Sequence, residues 1–167
     1  MTKPAVEDRF VALLEEHKRI LYKVASSYCR NPADRQDLTQ EMAVALWKSF
    51  PRYDSRYRFS TWMYRIALNV AISFYRSEVR RTRRTVPAGD SLLELAAAPE
   101  SAGPEEDSSF LQDLMRQLDE LDRALLLLYL DENSHATIAE ILGISETNVG
   151  TKIGRIKQRL RALARAV

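Results

Sequence analysis

The residues whose types and spacing suggest chemistry most directly lie near the carboxyl end of the chain. Apolar side chains recur there every three or four residues, which gives a helix one apolar stripe at Val149, Ile153, Ile156, Leu160 and Leu163. The rest of this helix is polar and basic, with Ser145, Thr147, Asn148, Thr151, Lys152, Arg155 and Arg159. Cations attract phosphates, and amide and guanidinium groups hydrogen-bond to base edges, so this face predicts DNA binding.

A helix, a tight turn and a second helix would position this face. The apolar run 138–142 stops at Gly143, and Ser145 is a suitable N-cap for the second helix. We assign phosphate contacts to Ser145, Thr147, Thr151 and Arg159, and base contacts to Asn148, Lys152 and Arg155. A purely structural helix pair would need the same glycine and apolar positions. The basic outer face favours a DNA-binding helix-turn-helix instead.

The helical period extends along most of the chain, and we find no alternation long enough for a strand. The sequence therefore predicts an all-α protein of two small helical domains, residues 1–84 and 108–167, joined by a flexible acidic linker over 85–107. At about 3.3 Å per residue, that linker reaches on the order of 75 Å. The first domain is expected to hold a helix over 6–28, a second helix that Asp34 caps and that runs to about Phe50, and a third helix that Ser60 or Thr61 caps.

Two other segments of the first domain carry unusual side chains. Acidic and amide groups begin the second predicted helix, at Asp34, Asp37, Gln40 and Glu41. A solvated helix start that favours the dipole is the simple explanation for them. The loop 52–58 alternates aromatic and charged residues, and the helix after it contains Trp62 and Asn69. This segment is either a solvated surface loop or a surface that stacks on unpaired bases.

Several classes of function lack the residues that they need. Cys29 is the only cysteine and the chain has two histidines, so the sequence offers no internal disulfide and no metal-ligand spacing. We find no nucleophile–base constellation and no phosphate-binding glycine loop, and we predict neither enzymatic activity nor a cofactor. There is no charged-then-apolar leader and no apolar run near about 20 residues, which predicts a cytoplasmic protein without membrane insertion.

Three segments together resemble the extracytoplasmic-function group of bacterial sigma factors, within the sigma-70 family. Residues 34–41, DRQDLTQE, are similar to the acidic signature of the group, and residues 59–69, FSTWMYRIALN, are similar to its Trp-containing stretch. Residues 137–160 look like its fourth region. Departures from the pattern occur where Gln36 replaces a usual acid, where His135 begins a segment that is often Tyr-Glu-Glu, and where Gly150 replaces a common basic residue.

The resemblance implies that the chain binds core RNA polymerase and promoter DNA, and such proteins commonly have an anti-sigma factor. We expect polymerase contacts from Asp34, Asp37, Leu38, Gln40, Glu41 and Trp47. For the downstream, minus-ten element we expect contacts from Tyr53, Arg56, Tyr57, Arg58, Trp62, Asn69, Arg76 and Arg80. The polar face of the C-terminal helix would read the upstream, minus-thirty-five element.

The alternative is an autonomous helix-turn-helix repressor or activator that works without docking on polymerase. The C-terminal half also resembles the corresponding part of two-component regulators. The first 80 or so residues argue against a receiver domain, because such a domain would alternate strands and helices.

Overall fold

The computed structural model describes residues 2–85 and 106–166, and the regular elements of these two ranges are all helical. An N-terminal unit contains α1 (Lys3–Tyr28), α2 (Pro32–Ser49), a 3-10 turn (Phe50–Arg52) and α3 (Phe59–Thr85). A C-terminal unit contains α4 (Glu106–Arg116), α5 (Glu120–Leu130), α6 (His135–Leu142) and α7 (Glu146–Arg165). The all-α prediction is confirmed.

The segment predicted as a linker lies largely outside the described residues. Residues 86–105 are not described, whereas Thr85 belongs to α3 and Glu106 and Asp107 belong to α4. The domain boundaries that were predicted at 84 and 108 therefore stay predictions, and the two helices that flank the segment extend slightly into it.

In the N-terminal unit, each of the three helices packs against the other two. The fourfold spacing of Leu38, Met42 and Leu46 places all three on the inner face of α2, where they are fully buried. The start of α2 differs from the prediction, because Asn31 rather than Asp34 is the N-cap and accepts a hydrogen bond from the Asp34 amide. A proline at the first helical position suits this earlier start, since its fixed φ is already helical.

In the C-terminal unit, the apolar run of α5 forms the core, and residues 124–128 are buried. Gly143 ends α6 in the left-handed conformation, with φ of 68°, and Ser145 caps α7 by accepting from the Asn148 amide at 3.1 Å. The helix-turn-helix and its Ser145 cap are thus confirmed. Val149, Ile153 and Ile156 hold α7 against the core, so the polar face of α7 points outward.

The two units also pack against each other. Contacts run from α1 to α4 and α5, and from α3 to α5 and α6, and the buried residues of both units form one continuous apolar cluster. The sequence indicated two separate domains and gave no sign of this contact.

Candidate functional site

The exposed face of α2 combines negative charge with an apolar groove. Asp37, Gln40 and Glu41 are exposed and line a groove between α2 and α3, together with one cation, Lys48, and apolar residues that include Val44 and Phe74. Such a groove suits a partner segment that carries basic and apolar side chains. Asp34 is only half-exposed and accepts a hydrogen bond from Asn31 Nδ2 at 2.6 Å.

The two apolar residues that were predicted to anchor a polymerase contact lie in different environments. Leu38 is fully buried, so its side chain holds α2 on the bundle and offers no surface to a partner. Trp47 is 37% exposed, and its ring centroid lies 5.1 Å from that of Phe10. Of this pair, Trp47 is therefore the residue that has accessible apolar area.

An aromatic cleft lies at the start of α3. Tyr53 and Trp62 have ring centroids 5.0 Å apart, and Phe50 and Phe59 support both rings from the core side. Tyr53 Oη donates to the Tyr57 carbonyl oxygen at 2.8 Å, which fixes the loop. These contacts hold flat ring surfaces in place before any ligand binds, as stacking on an unpaired base requires.

The structure brings some of the predicted downstream residues together and separates others. Tyr53, Tyr57 and Trp62 line one cleft, together with Arg52 and Arg65, which the sequence did not single out. Asn69 lies seven residues after Trp62 on α3 and lines a different groove, beside Glu41 and Phe74. The structure therefore does not bring Asn69 into the aromatic cleft.

Several arginines of the N-terminal unit that were predicted to contact DNA phosphates already have hydrogen-bond partners within the protein. Arg56 donates to both carboxylate oxygens of Asp54, and its hydrogen bonds lower the pKa of that exposed carboxyl group. Arg76 Nε donates to Glu120 Oε1 at 2.8 Å, and Arg80 Nε donates to the Arg76 carbonyl oxygen at 3.3 Å. Arg58 is exposed.

On α7, some of the side chains that were predicted to contact DNA are half-buried or already hydrogen-bonded within the protein. Thr147, Asn148, Thr151 and Arg155 are exposed together. The Ser145 hydroxyl oxygen is occupied as the cap. Lys152 is half-buried, with Nζ 4.0 Å from Asp122 Oδ1, and Arg159 donates to the Gln117 carbonyl oxygen at 2.8 Å.

The two departures from the family pattern in the C-terminal unit are neighbours in space. His135 is exposed at the start of α6, and its ring lies over Gly150, such that a Cβ at position 150 would be 3.7 Å from His135 Nδ1. The sequence separates these residues by 15 positions, so their contact was not predictable from spacing.

Arg123 is a residue that sequence reasoning missed. It is 2% exposed, and its guanidinium donates to the carbonyl oxygens of Met115, Arg116 and Leu118 at 3.0, 3.3 and 3.1 Å. These are carbonyl groups at and beyond the end of α4, which a helix leaves without partners. The sequence feature that could have indicated a buried role is the position of Arg123 directly before the apolar run of α5.

Among residues 2–85 and 106–166, no helix has both the length and the apolar composition that a membrane span needs. In the same ranges, no group of three or more His, Cys, Asp or Glu side chains is arranged to hold a metal ion.

Comparison with known proteins covers both units. The sigma-70 region 2 family matches residues 13–81, and the sigma-70 region 4 family matches residues 111–160. The chain is 31% identical to the RNA polymerase sigma factor CnrH of Cupriavidus metallidurans, over 92% of this chain and 85% of CnrH. It is 27% identical to the ECF RNA polymerase sigma factor SigW of Bacillus subtilis, over 95% of this chain and 90% of SigW.

Solved structures agree with this fold. CnrH in complex with the cytosolic domain of CnrY superposes on 96% of this chain and 90% of that one, with a TM-score of 0.69 and 26% identity. The sigma factor RpoE of Bartonella quintana, solved with the anti-sigma factor NepR, superposes on 95% of this chain and 96% of its own, with a TM-score of 0.68 and 18% identity.

Proposed function

Because this chain belongs to the extracytoplasmic-function group of the sigma-70 family, we propose that its N-terminal unit docks on core RNA polymerase and melts the downstream element while α7 reads the upstream element. As a member of that family it directs core polymerase to promoters and starts transcription there. One observation supports this assignment of roles. Along the chain, an acidic groove on α2 is followed by an aromatic cleft at the start of α3 and then by a polar, basic face on α7, which is the order of the corresponding segments in the family.

The acidic groove on α2 is the polymerase-docking surface. Its net charge suits a basic partner, and its apolar residues together with the exposed edge of Trp47 supply contact area. An Asp37→Lys variant should lose most of its affinity for core polymerase in a pull-down or fluorescence-anisotropy titration. Asp113→Lys, a change of the same charge on α4, is the matched control, and equal losses in both variants would contradict this assignment.

The aromatic cleft is the melting surface. Opening a base pair costs a few kcal/mol, and stacking each exposed base on an aromatic ring returns about 1 to 3 kcal/mol. The double variant Tyr53→Ala/Asn69→Ala should therefore bind core polymerase normally but give weak permanganate reactivity at promoter thymines. Tyr22→Ala removes an exposed tyrosine from α1 and serves as the control. Full reactivity in the double variant would contradict the assignment.

The outer face of α7 is the upstream reader. Removing the side chain of Asn148 or Arg155 should cost about 1 to 3 kcal/mol at one promoter position, as expected for base contacts. Thr147→Ala or Thr151→Ala should weaken binding to all promoter sequences alike, as expected for phosphate contacts. Binding to a set of single-base variants of the upstream element separates these two patterns.

An anti-sigma factor is the further partner that we infer. CnrH was solved in complex with the cytosolic domain of CnrY, and RpoE with the anti-sigma factor NepR, and both superpose over nearly all of this chain. We also infer that the protein is cytoplasmic, where core polymerase and promoter DNA are found, and that it acts by binding rather than by enzymatic catalysis.

Transcription in vitro with core polymerase on genomic DNA tests the proposal as a whole. New start sites that share an upstream element and a downstream element are expected when the protein is added. DNA binding without any affinity for core polymerase would instead indicate an autonomous helix-turn-helix regulator, the alternative that the family comparisons do not favour.

A further inference from the structure

The outer side of α7 contains a patch with few side chains of its own. Thr147, Gly150, Thr151 and Gly154 are separated by three or four residues in turn, so they are neighbours on one side of the helix. Two of these four positions are glycines, which leaves two gaps beside the short threonine side chains. A Cβ at Gly154 would meet nothing within 4 Å, so that gap is open. The gap at Gly150 is filled by His135 of α6.

The contact between His135 and Gly150 is close and unstrained. A Cβ at position 150 would lie 3.7 Å from His135 Nδ1 and 3.8 Å from its Cε1, which are ordinary van der Waals distances. His135 is exposed, although its ring touches α7. One edge of the imidazole therefore rests on the bare backbone at Gly150, and the rest of the ring faces solvent on the side of α7 that carries the exposed Thr147 and Thr151.

A rigid turn positions His135, which is the first residue of α6. Ser134 caps this helix by accepting a hydrogen bond from the Thr137 amide at 3.1 Å. Asn133 Nδ2 donates to the Leu128 carbonyl oxygen at 3.0 Å and ties the turn to the end of α5. Because the backbone on both sides of His135 is held, binding a ligand through its side chain orders little further backbone.

The imidazole can supply the DNA contact that glycine at position 150 cannot make. A neutral imidazole carries one nitrogen that donates a hydrogen bond and one that accepts. Position 150 is the fifth residue of α7, and the N-terminal residues of a recognition helix are those that contact base edges in the major groove. The His135 ring therefore lies where a side chain of α7 itself would meet a base pair.

We propose that His135 and Gly150 form one specificity determinant for the upstream element. Gly150 leaves room for the ring, and His135 hydrogen-bonds to one base pair from the neighbouring helix. This inference rests on the proposed function, and it extends the sequence reading from α7 to α6. It explains why the two departures from the family pattern in the C-terminal unit occur together, since the ring needs the space that a basic side chain at position 150 would occupy.

Binding of the holoenzyme to promoter fragments tests the base contact. Core polymerase with the full chain is titrated with fragments that carry each single-base change in the upstream element. His135→Ala should reduce discrimination about threefold to tenfold at one base pair, the range expected for one hydrogen bond, and leave the other positions unchanged. Equal weakening on all fragments would indicate a phosphate contact, and no change on any fragment would indicate no contact. Either result overturns the proposal.

The two glycines provide a matched test of whether the ring acts from Gly150. Gly150→Leu places a branched side chain where the ring lies, whereas Gly154→Leu adds the same side chain where nothing lies within 4 Å. In double-mutant cycles with His135→Ala, Gly150→Leu should be strongly non-additive, because either change removes the ring from its place. Gly154→Leu should be additive with His135→Ala. Additivity at both glycines, or equal coupling at both, would contradict the proposal.

Chemical protection measures the contact in the unmodified chain, so it does not depend on any variant folding. Diethyl pyrocarbonate modifies exposed imidazoles, and this chain has two histidines, His17 and His135. A duplex that carries only the upstream element should slow modification of His135 in the holoenzyme severalfold, as read by peptide mass spectrometry. His17 lies in α1 of the N-terminal unit and is the internal reference, with an unchanged rate. Equal rates at His135 with and without bound duplex would overturn the proposal.

The same titrations separate this inference from the proposed function. If no base change in the upstream element alters holoenzyme binding, the role of α7 as the upstream reader fails, and the role of His135 fails with it. If base changes alter binding but none of the responses depends on His135, only the specificity determinant is overturned.

Discussion

One substitution, glycine to alanine, should have opposite effects at two positions in the helix-turn-helix. Gly154 lies inside α7 on its exposed side, and a Cβ there would meet nothing within 4 Å. Alanine is favoured over glycine inside a helix by about 1 kcal/mol, because glycine loses more backbone freedom on folding. Gly154→Ala should therefore raise the free energy of unfolding by about 1 kcal/mol, or the midpoint temperature by about 2 to 4 °C.

Gly143 has as much open space where a Cβ would lie, but its backbone conformation is different. Its φ of +68° lies in the left-handed region, where a Cβ costs about 1 to 2 kcal/mol. Gly143→Ala should therefore lower the free energy of unfolding by about that amount. The two variants together separate the effect of backbone conformation from the effect of added volume, since neither methyl group meets a neighbour.

Urea unfolding of the full chain, followed by far-ultraviolet circular dichroism, measures both changes. Both tryptophans lie in the N-terminal unit, so tryptophan fluorescence does not report directly on α6 and α7. Hydrogen exchange at the amides of Val149 and Ile153 places the effect in α7. If Gly154→Ala destabilised the chain, or if both variants changed stability in the same direction, the reasoning from local backbone conformation would be refuted.

Three other outcomes are expected. The free energy of unfolding should fall as the pH drops through about 4.5 and below, because the hydrogen bonds that Glu120 and Asp131 accept lower their pKa values and stabilise the fold only while both are ionised; acid titration of urea midpoints checks this. Arg123→Ala should cost about 3 kcal/mol by the same urea assay, because it leaves buried carbonyl oxygens without donors, whereas Arg116→Ala should cost less than about 1 kcal/mol. Ser145→Ala should cost about 1 kcal/mol through loss of the α7 cap, visible as faster amide exchange in its first turn.

Periodicity and capping chemistry predicted most of the fold. The stripe of α7, the stop at Gly143 and the cap at Ser145 are local features, set by residues within a few positions of one another, and all three are confirmed. Asp34 was misassigned as a cap because Asn31 and Pro32 compete for the same role at nearly the same place. Element ends depend on such small local differences.

The site was predicted less completely, because exposure depends on contacts between distant segments. Leu38 sits in the middle of an acidic signature, yet the packing of α2 buries it completely. In the sequence, Arg123 is only a charged residue beside an apolar run. Its structural role depends on a carbonyl oxygen of α4 and on aromatic rings of α1 and α3, which are distant in sequence. No spacing rule within one helix reports such partners.

Because the two units pack against each other, the covalent connection between them affects how strongly they associate. Because one chain carries both units, each interface residue meets its partner at an effective concentration that is fixed by the covalent connection and not by the protein concentration. Weak contacts such as the ion pair between Lys23 and Asp131 associate at that concentration and dissociate at the far lower concentrations of separate molecules. Cutting the chain between residues 86 and 105 would therefore dilute one half away from the other without changing a single residue at the interface.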